Sequence, residues 1–183
     1  MLCEIAHRYK TDKCPQVYHD YTPFYFDLFE KRRMGIKKVL EVGIGGSRML
    51  RVVPGYVLGA SLKMWRDFFP NAQVFGADIA RSSLFEDERI KTFYCDERKK
   101  NDLLELIKQT GTDIDLFIDD ASHLARNQFF LFKTVFPILD KGVVYIIEDV
   151  KNVAKFSKLL TEYKYFVPEL ANPRYNSIIV IEK

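Results

Sequence analysis

The fold is best deduced from one stretch, IDLFIDDASH, which spans residues 114–123. Its first half is mostly apolar, and a second run of this kind, residues 143–147, stands directly before the acidic pair Glu148-Asp149. Short apolar runs rich in β-branched side chains and bounded by polar residues predict buried strands of a parallel sheet. Because open α/β sheets bind their ligands at the carboxyl ends of the strands, we expect both acidic pairs at one functional edge.

The rest of the chain repeats this pattern. Seven short apolar runs predict seven strands, at residues 38–42, 73–77, 92–95, 114–118, 143–147, 163–167 and 177–181. Helices are predicted at residues 23–33, 60–69, 101–110, 124–139 and 152–163. Strands that alternate with helices predict a doubly wound, mostly parallel sheet with right-handed crossovers. Residues 168–176 are too few for a further helix, so the last two strands are expected to form an antiparallel β-hairpin. A three-layer, Rossmann-like α/β fold with seven strands and a C-terminal antiparallel hairpin is typical of class I methyltransferases.

The length and composition of the chain indicate a single globular domain, residues 1–183. Hydrophobic residues make up 48% of the chain and the net charge is +3, with acidic residues interspersed among the basic ones. This composition argues against disorder and against a nucleic-acid groove. Cys3, Cys14 and Cys95 have no C-x-x-C spacing, which favours a reducing compartment. No signal peptide and no membrane span are recognised, so we expect a cytoplasmic protein.

The first 35 residues precede the predicted sheet. Thr22 and Pro23 predict the start of a helix, with Thr22 as the N-cap and Pro23 at the first helical position. Residues 1–35 are therefore expected to form a helical or lid segment, followed by an α/β core at residues 36–183. The polar and aromatic stretch before the helix is interpreted as a lid or loop: Tyr18, His19 and Tyr21.

The two acidic pairs and His123 predict a reactive centre. Three carboxylates and one imidazole at the same sheet edge would hold a hard divalent cation beside a general base. Each residue also has a structural interpretation, in which His123 caps the following helix, Asp119 and Asp120 are N-caps, and Glu148-Asp149 lies in a solvated loop. Either pair alone does not distinguish these interpretations.

A glycine-rich turn follows the first predicted strand, in the stretch LEVGIGG at residues 40–46. Glycine lets the backbone turn sharply and approach a ligand closely. Gly43 and Gly45 follow the spacing G-x-G-G, and not the G-x-G-x-x-G of a dinucleotide site. The acidic residue before them, Glu41, suits a ligand with a cationic amino-acid part and no phosphate.

Two further acids follow predicted strands. Asp78, after the second strand, can accept hydrogen bonds from both ribose hydroxyls, and Asp96, after the third, can meet an adenine amino group. In combination with Glu41 they predict that the core, residues 36–183, binds S-adenosylmethionine (SAM).

Six motifs give the chain a resemblance to a known family. They are YKTDK at residues 9–13, YTPFY at 21–25, LEVG at 40–43, GASLKMWRDFFPNA at 59–72, IDDASH at 118–123 and YIIED at 145–149. On these motifs the sequence resembles the SAM-dependent, Mg²⁺-dependent sugar O-methyltransferases of the macrocin and mycinamicin type. Ala121 stands where that family usually has glycine. The auxiliary domain of the macrolide enzymes, which helps shape the acceptor site, has no counterpart in these 183 residues, so the acceptor is not implied.

The resemblance implies specific roles. Asp120, Glu148 and Asp149 become ligands of Mg²⁺, His123 becomes the general base, and Asp119 is expected close to the amino-acid end of SAM. Oxygen ligands favour Mg²⁺ over zinc.

The leading hypothesis is thus Mg²⁺-assisted O-methylation of a sugar hydroxyl in a small-molecule acceptor. Alternatives are a catechol-type O-methyltransferase, which also presents two adjacent oxygens to the cation, a non-catalytic SAM-binding module and, less well supported by the charge, an RNA methyltransferase. Lys13 and Arg126 are candidate contacts of an acidic acceptor, and a homo-oligomer is expected from the relatives.

Overall fold

The computed structural model describes residues 1–171 and 177–183, except for the side chains of residues 47 and 48. Its strands are β1 (Lys38–Val42), β2 (Gln73–Asp78), β3 (Glu86–Asp87), β4 (Ile90–Tyr94), β5 (Leu116–Asp119), β6 (Val144–Val150), β7 (Tyr165–Phe166) and β8 (Ser177–Glu182). Its α-helices are α1 (Leu2–Tyr9), α2 (Tyr21–Phe29), α3 (Ser47–Val52), α4 (Ala60–Phe68), α5 (Lys100–Thr110), α6 (Ala125–Val135) and α7 (Val153–Ser157). Short 3-10 helices cover Glu30–Arg32, Arg81–Ser83 and Phe136–Ile138.

All eight strands form one sheet, in the order β3-β4-β2-β1-β5-β6-β8-β7. The five central strands β4, β2, β1, β5 and β6 run parallel, whereas β8 is antiparallel to both β6 and β7. The chain order reverses between β1 and β5, so the carboxyl ends of these two strands border the crevice in which such sheets bind ligands.

Helices cover both faces of the sheet because its central strands are apolar on both sides. Along β1, Val39 packs into a core with α1, α2 and α4, whereas Leu40 and Val42 pack into a second core with α5 and α6. Each buried side chain of this size contributes about 1.5–3 kcal/mol relative to exposure. The result is the predicted three-layer arrangement.

The structure confirms the predicted class of fold and its C-terminal antiparallel hairpin, formed by β7 and β8. Within the predicted connection at 168–176, residues 172–176 lie outside the described residues. Within the described residues the sheet has eight strands instead of the predicted seven, because Glu86–Asp87 adds a short antiparallel edge strand to β4. Two residues that pair without burial leave no apolar pattern to recognise.

The helices differ from prediction mainly at their ends. Residues 124–139 form α6 followed by a 3-10 turn, and the helix predicted at 152–163 shortens to Val153–Ser157. Helices α1 and α3 were not predicted. Helix α2 begins at Tyr21 and not at Pro23, so Tyr21 is helical and not part of a loop. The carbonyl of Lys13 accepts the backbone N–H groups of Tyr21 and Thr22, which supplies the cap that Thr22 was expected to provide.

None of the helices that the structure describes is long and apolar enough to cross a membrane.

Candidate active site

The predicted acidic residues meet at the carboxyl edge of the sheet. The register pairs Val42 of β1 with Asp119 of β5, and Asp119 with Ile147 of β6, so the residues that follow lie side by side. Asp119 is the last residue of its strand, and Asp120 donates its backbone N–H to the carbonyl of Val42. Glu148 and Asp149 are still within β6, beside an irregularity in its pairing with β8. They do not lie in a solvated loop.

Asp120, His123 and Asp149 form a cluster that fits a cation. One potential ligand atom from each lies within 4.8 Å of the others. The Nδ1 atom of His123 is 3.5 Å from Asp149 Oδ2 and 3.9 Å from Asp120 Oδ1. Among the described residues, this Nδ1 is one of the few buried side-chain atoms without a hydrogen-bond partner. The two carboxylates supply the oxygen ligands that a divalent cation of the Mg²⁺ type prefers.

The backbone at this cluster is strained. His123 and Asp149 have φ angles of 54° and 56°, in the left-handed region that non-glycine residues rarely adopt. Such residues cost of order 1 kcal/mol each and persist where the surrounding structure determines them, which is common at functional sites. His123 precedes the N-cap of α6, Leu124, and α6 has no side-chain cap, so the interpretation of His123 as a cap is wrong.

The electrostatic surroundings of His123 favour its neutral form. Burial lowers the pKa of His123 below its ordinary value, and the nearby carboxylate of Asp149 only partly opposes this effect. A neutral imidazole can accept a proton, and a carboxylate beside it stabilises the imidazolium that results.

Glu148 is set apart from the cluster by Lys13. The Nζ atom of Lys13 donates to Glu148 Oε2 at 2.5 Å and to Asp120 Oδ2 at 2.6 Å, and it lies 3.8 Å from Glu41 Oε1. The hydroxyl of Tyr25 donates to the other oxygen of Glu148, at 2.5 Å. Glu148 thus has both of its oxygens occupied in this structure.

Lys13 itself is almost entirely buried, with 1% of its side chain exposed. Burial opposes its charge, but the carboxylates of Asp120, Glu148 and Glu41 outweigh this effect and raise the pKa of Lys13 well above its ordinary value. The ammonium therefore compensates carboxylates that would otherwise be buried without a counter-charge. Sequence reasoning considered Lys13 only as a contact of the acceptor and missed this position.

Three connected cavities run along the sheet edge. The inner cavity, of about 290 Å³, is lined by Gly43, Asp78, Cys95, Asp96, Ala121 and Arg126 among others. The loop cavity, of about 240 Å³, shares Gly43, Asp78 and Ala121 with it and continues past Gly45 to Asp120, His123 and Asp149. The outer cavity, of about 690 Å³, adjoins His123 and Asp149 and extends between α3 and the segment of Lys10, Gln16, Tyr18 and His19. The cation cluster therefore lies where the loop and outer cavities meet.

The predicted cofactor residues occupy different positions along these cavities. Gly43 has a φ angle of +89°, and an added Cβ would lie 2.2 Å from the carbonyl oxygen of Asp120, so only glycine allows the two loops to approach. Asp78 stands where the inner and loop cavities join, and its carboxylate accepts the backbone N–H groups of Ile44 and Ala80. Gly43 and Asp78 thus border a cradle at the carboxyl ends of β1 and β2 that fits an elongated ligand.

Two further predicted cofactor residues are already engaged by protein groups. Asp96 accepts two hydrogen bonds from the guanidinium of Arg98, at 2.8 and 2.9 Å, and the bonded guanidinium lowers the pKa of Asp96. Glu41 is fully buried and accepts hydrogen bonds of 2.6 Å from Ser61 and Trp65. Glu41 is not among the residues that line the three cavities.

Asp119 is not among the residues that line the three cavities. It is fully buried, and its Oδ2 atom has no hydrogen-bond partner among the described residues. Burial, together with the charge of Glu97, raises the pKa of Asp119 well above its ordinary value. Neither Asp119 nor Asp120 caps a helix. Asp119 ends β5, and Asp120 accepts a hydrogen bond from Lys13.

Comparison with known proteins places this site in context. The chain matches no family model. It is 35% identical to mycinamicin VI 2''-O-methyltransferase of Micromonospora griseorubida and 36% identical to demethylmacrocin O-methyltransferase of Streptomyces fradiae, each over 148 residues. Each alignment covers 81% of this chain, whereas it covers 35% and 36% of those proteins. The chain thus spans about a third of the length of the curated relatives that it matches.

A solved structure extends the likeness to the fold. The MycE methyltransferase from the mycinamycin biosynthetic pathway, in complex with Mg, SAH and mycinamycin VI, superimposes with a TM-score of 0.80 at 27% identity. The superposition covers 100% of this chain and 54% of that one. The resemblance drawn from the motifs is confirmed. By sequence over 81% of its length, and by its class I methyltransferase fold, the chain is a relative of the sugar O-methyltransferases that act on mycinamicin and demethylmacrocin.

Proposed function

We propose that the protein catalyses SAM-dependent, Mg²⁺-assisted O-methylation of a hydroxyl on a sugar or a sugar-containing small molecule. The observation that carries the proposal is the position of Asp120, His123 and Asp149, which converge between a narrow cavity along the glycine loop and a wider outer cavity. The names of the relatives support the reaction and the type of acceptor, and the MycE complex contains Mg and SAH.

The inner and loop cavities fit the methyl donor in one orientation. Asp78, at their junction, would accept the ribose hydroxyls, and the adenine would lie in the inner cavity near Asp96. The loop past Gly43 and Gly45 would then hold the amino-acid part, which directs the sulfonium towards His123. SAM supplies an electrophilic methyl group, and the protein contributes mainly its position, since in-line displacement depends strongly on orientation.

The cation would be held by Asp120 and Asp149, with His123 beside them. Glu148, the third ligand implied by the resemblance, is held by Lys13 and Tyr25 in this structure. Such a cation would supply Lewis acidity, which lowers the proton affinity of an acceptor hydroxyl.

His123 would act as the general base. His123 lines the outer cavity, where an acceptor hydroxyl would lie, and its Nδ1 atom has no hydrogen-bond partner among the described residues. As the hydroxyl oxygen bonds to the methyl carbon, the carbon–sulfur bond breaks and the hydroxyl proton passes to His123. Asp149 Oδ2, at 3.5 Å, stabilises the imidazolium formed.

The first test is calorimetric titration of S-adenosylhomocysteine into the protein, once with Mg²⁺ and once with EDTA. We expect binding in both, since Gly43 and Asp78, which line the inner and loop cavities, are not members of the cation cluster. The absence of binding in both would remove the methyltransferase proposal.

The second test measures methyl transfer from radiolabelled SAM to a panel of nucleotide sugars, glycosides and free catechols. Asp120→Ala is expected to abolish turnover and leave S-adenosylhomocysteine affinity nearly unchanged. His123→Ala is expected to lower kcat by about 10²- to 10⁴-fold without loss of metal, with partial recovery at higher pH. Activity on catechols alone would contradict the proposed acceptor, and an unaffected His123→Ala would contradict the proposed base.

The proposal also covers the partners, the assembly and the location of the protein. We propose a small-molecule acceptor without nucleic acid or membrane, a homo-oligomeric assembly and a cytoplasmic location, the last supported by the free thiols of Cys3, Cys14 and Cys95. We also propose that residues 1–183 act as one domain, because Lys13 of the N-terminal segment is buried among carboxylates of the core. Analytical ultracentrifugation tests the assembly, and limited proteolysis tests the domain.

A further inference from the structure

Lys13 is the feature of this molecule that the proposed reaction does not use. It belongs to the N-terminal segment, yet its side chain is 1% exposed and its Nζ atom contacts two carboxylates 107 and 135 residues further along. A buried ammonium costs several kcal/mol unless its partners compensate it.

The two carboxylate oxygens of Asp120 have different neighbours. Oδ2 accepts the hydrogen bond from Lys13, whereas Oδ1 is the atom that lies 3.9 Å from His123 Nδ1. A carboxylate with one oxygen held by an ammonium cannot rotate freely about its terminal bond. Lys13 thereby presents Oδ1 to the cation cluster.

The same ammonium also determines the position of Glu148. Lys13 and Tyr25 hold its two oxygens, and 1% of its side chain is exposed. Lys13 therefore occupies the space between Asp120 and Glu148 in which a shared cation would otherwise be attracted. The residues that remain available to a cation are Asp120, His123 and Asp149.

Resting on the proposed function, we propose that Lys13 is a positioning residue of the cation site. Its ammonium ties Glu148 to one oxygen of Asp120, and this pair acts as a single unit that orients Asp120 towards His123 and Asp149. The N-terminal segment thus carries the residue on which the geometry of the cation ligands depends.

Mn²⁺ binding, followed by electron paramagnetic resonance in the presence of S-adenosylhomocysteine, tests this role directly. In Lys13→Met the repulsion of a neighbouring positive charge is lost, so Mn²⁺ is expected to bind at least about tenfold more tightly, with an altered spectrum because Asp120 is no longer held. Despite this tighter binding, kcat at saturating Mg²⁺ is expected to fall by at least about 100-fold. S-adenosylhomocysteine affinity in EDTA should stay within about twofold of wild type.

Lys38→Met is the matched control. Lys38 likewise donates to a carboxylate, that of Asp113, and also to the carbonyl of Thr110. It is the first residue of β1, at the end of the strand away from the site. Its loss is expected to leave Mn²⁺ affinity and the spectrum unchanged. A Lys13→Met protein with the same Mn²⁺ affinity and spectrum as wild type would overturn the positioning role, whatever its activity.

A comparison of Glu148→Gln with the double variant keeps the proposal testable if Lys13→Met alone does not fold. Glu148→Gln is expected to weaken Mn²⁺ binding. The variant with both Lys13→Met and Glu148→Gln loses one charge of each sign, so its Mn²⁺ affinity should return to within about threefold of wild type. Equal Mn²⁺ affinities of Glu148→Gln with and without Lys13→Met would overturn the proposal. Failure of the wild type to bind Mn²⁺, with S-adenosylhomocysteine still bound, would instead remove the proposed cation site, and with it this role of Lys13.

Discussion

The hydroxyl of Tyr21 donates a hydrogen bond of 2.5 Å to Asp149 Oδ1, although 128 residues separate the two in sequence. The other oxygen of Asp149 faces His123. Helix α2 therefore orients one side of the cation cluster, as Lys13 orients the other. Both contacts come from the N-terminal segment, so the geometry of the site depends on how that segment is folded against the core.

Tyr21→Phe should weaken the cation site without disturbing the fold. The variant loses one hydrogen bond to a charged group, worth about 1.5–3 kcal/mol, and leaves Asp149 freer to rotate. We expect Mn²⁺ affinity and kcat each to fall by about tenfold, measured by paramagnetic resonance and by methyl transfer. Tyr163→Phe removes a hydroxyl that contacts the exposed Lys133 and serves as the control. Identical behaviour of the two variants would contradict the role of Tyr21.

Gly43→Ala should destabilise the protein much more than Gly142→Ala. Both glycines have positive φ angles, of +89° and +93°, so both substitutions carry a backbone cost of about 1 kcal/mol. Only at Gly43 would the new Cβ meet backbone atoms, whereas no atom lies within 4 Å at Gly142. We expect a loss of about 3 kcal/mol or more at Gly43 in urea denaturation, together with loss of S-adenosylhomocysteine binding. Equal losses at both sites would show that the close approach of the loops is unimportant.

Cys95 should be nearly inert to alkylation although it lines the inner cavity. Burial, with the charges of Asp102 and Asp96, raises the pKa of Cys95 to about 12, so about one thiol in 10⁴ is ionised at pH 8. Iodoacetamide is expected to modify the half-buried Cys3 at least about 100-fold faster than Cys95 in the native protein, as measured by peptide mass mapping. Urea should remove the difference. Comparable rates in the native protein would contradict the assigned environment of Cys95.

His19 and His123 should make the metal-free protein less stable in mild acid. Burial lowers the pKa of both residues, and Asp149 partly opposes this in each case. The unfolded chain takes up these protons near pH 6.5, so the stabilisation is complete above that pH and is lost as pH falls through the folded-state pKa. In EDTA, His19→Asn and His123→Asn should each gain stability relative to wild type between pH 7.5 and 5.5. A constant difference in urea midpoints over this range would rule out the effect.

The fold could be predicted to a large extent because its signals are local. The apolar run at 114–118 and the acids after it predict a buried strand that ends at the functional edge, and β5 lies there. The terminal hairpin followed from the short connection before residue 177. Short elements were not predicted because too few residues form them to give a recognisable pattern. Strand β3 has two residues, both exposed, and α3 has six.

The candidate site was predictable only in part. Asp120, His123 and Asp149 converge as expected, since the period of a strand and the direction of parallel strands determine where their ends meet. Their neighbours Asp119 and Glu148 look equivalent in sequence, but in the structure Asp119 is fully buried and Glu148 is bound by Lys13 and Tyr25. Alternation along a strand sends adjacent side chains to opposite faces, and the packing on each face then decides their partners.

The sequence by itself therefore determined the class of fold, the edge of the sheet that carries the site and the chemical types of its residues, because these depend on periodicity and on residue chemistry. Only the tertiary structure decided that Lys13, Tyr21 and Tyr25 hold the acidic residues in place. These contacts join positions more than 100 residues apart, and no local pattern encodes which buried carboxylate a distant ammonium or hydroxyl will meet once the N-terminal segment packs against the core.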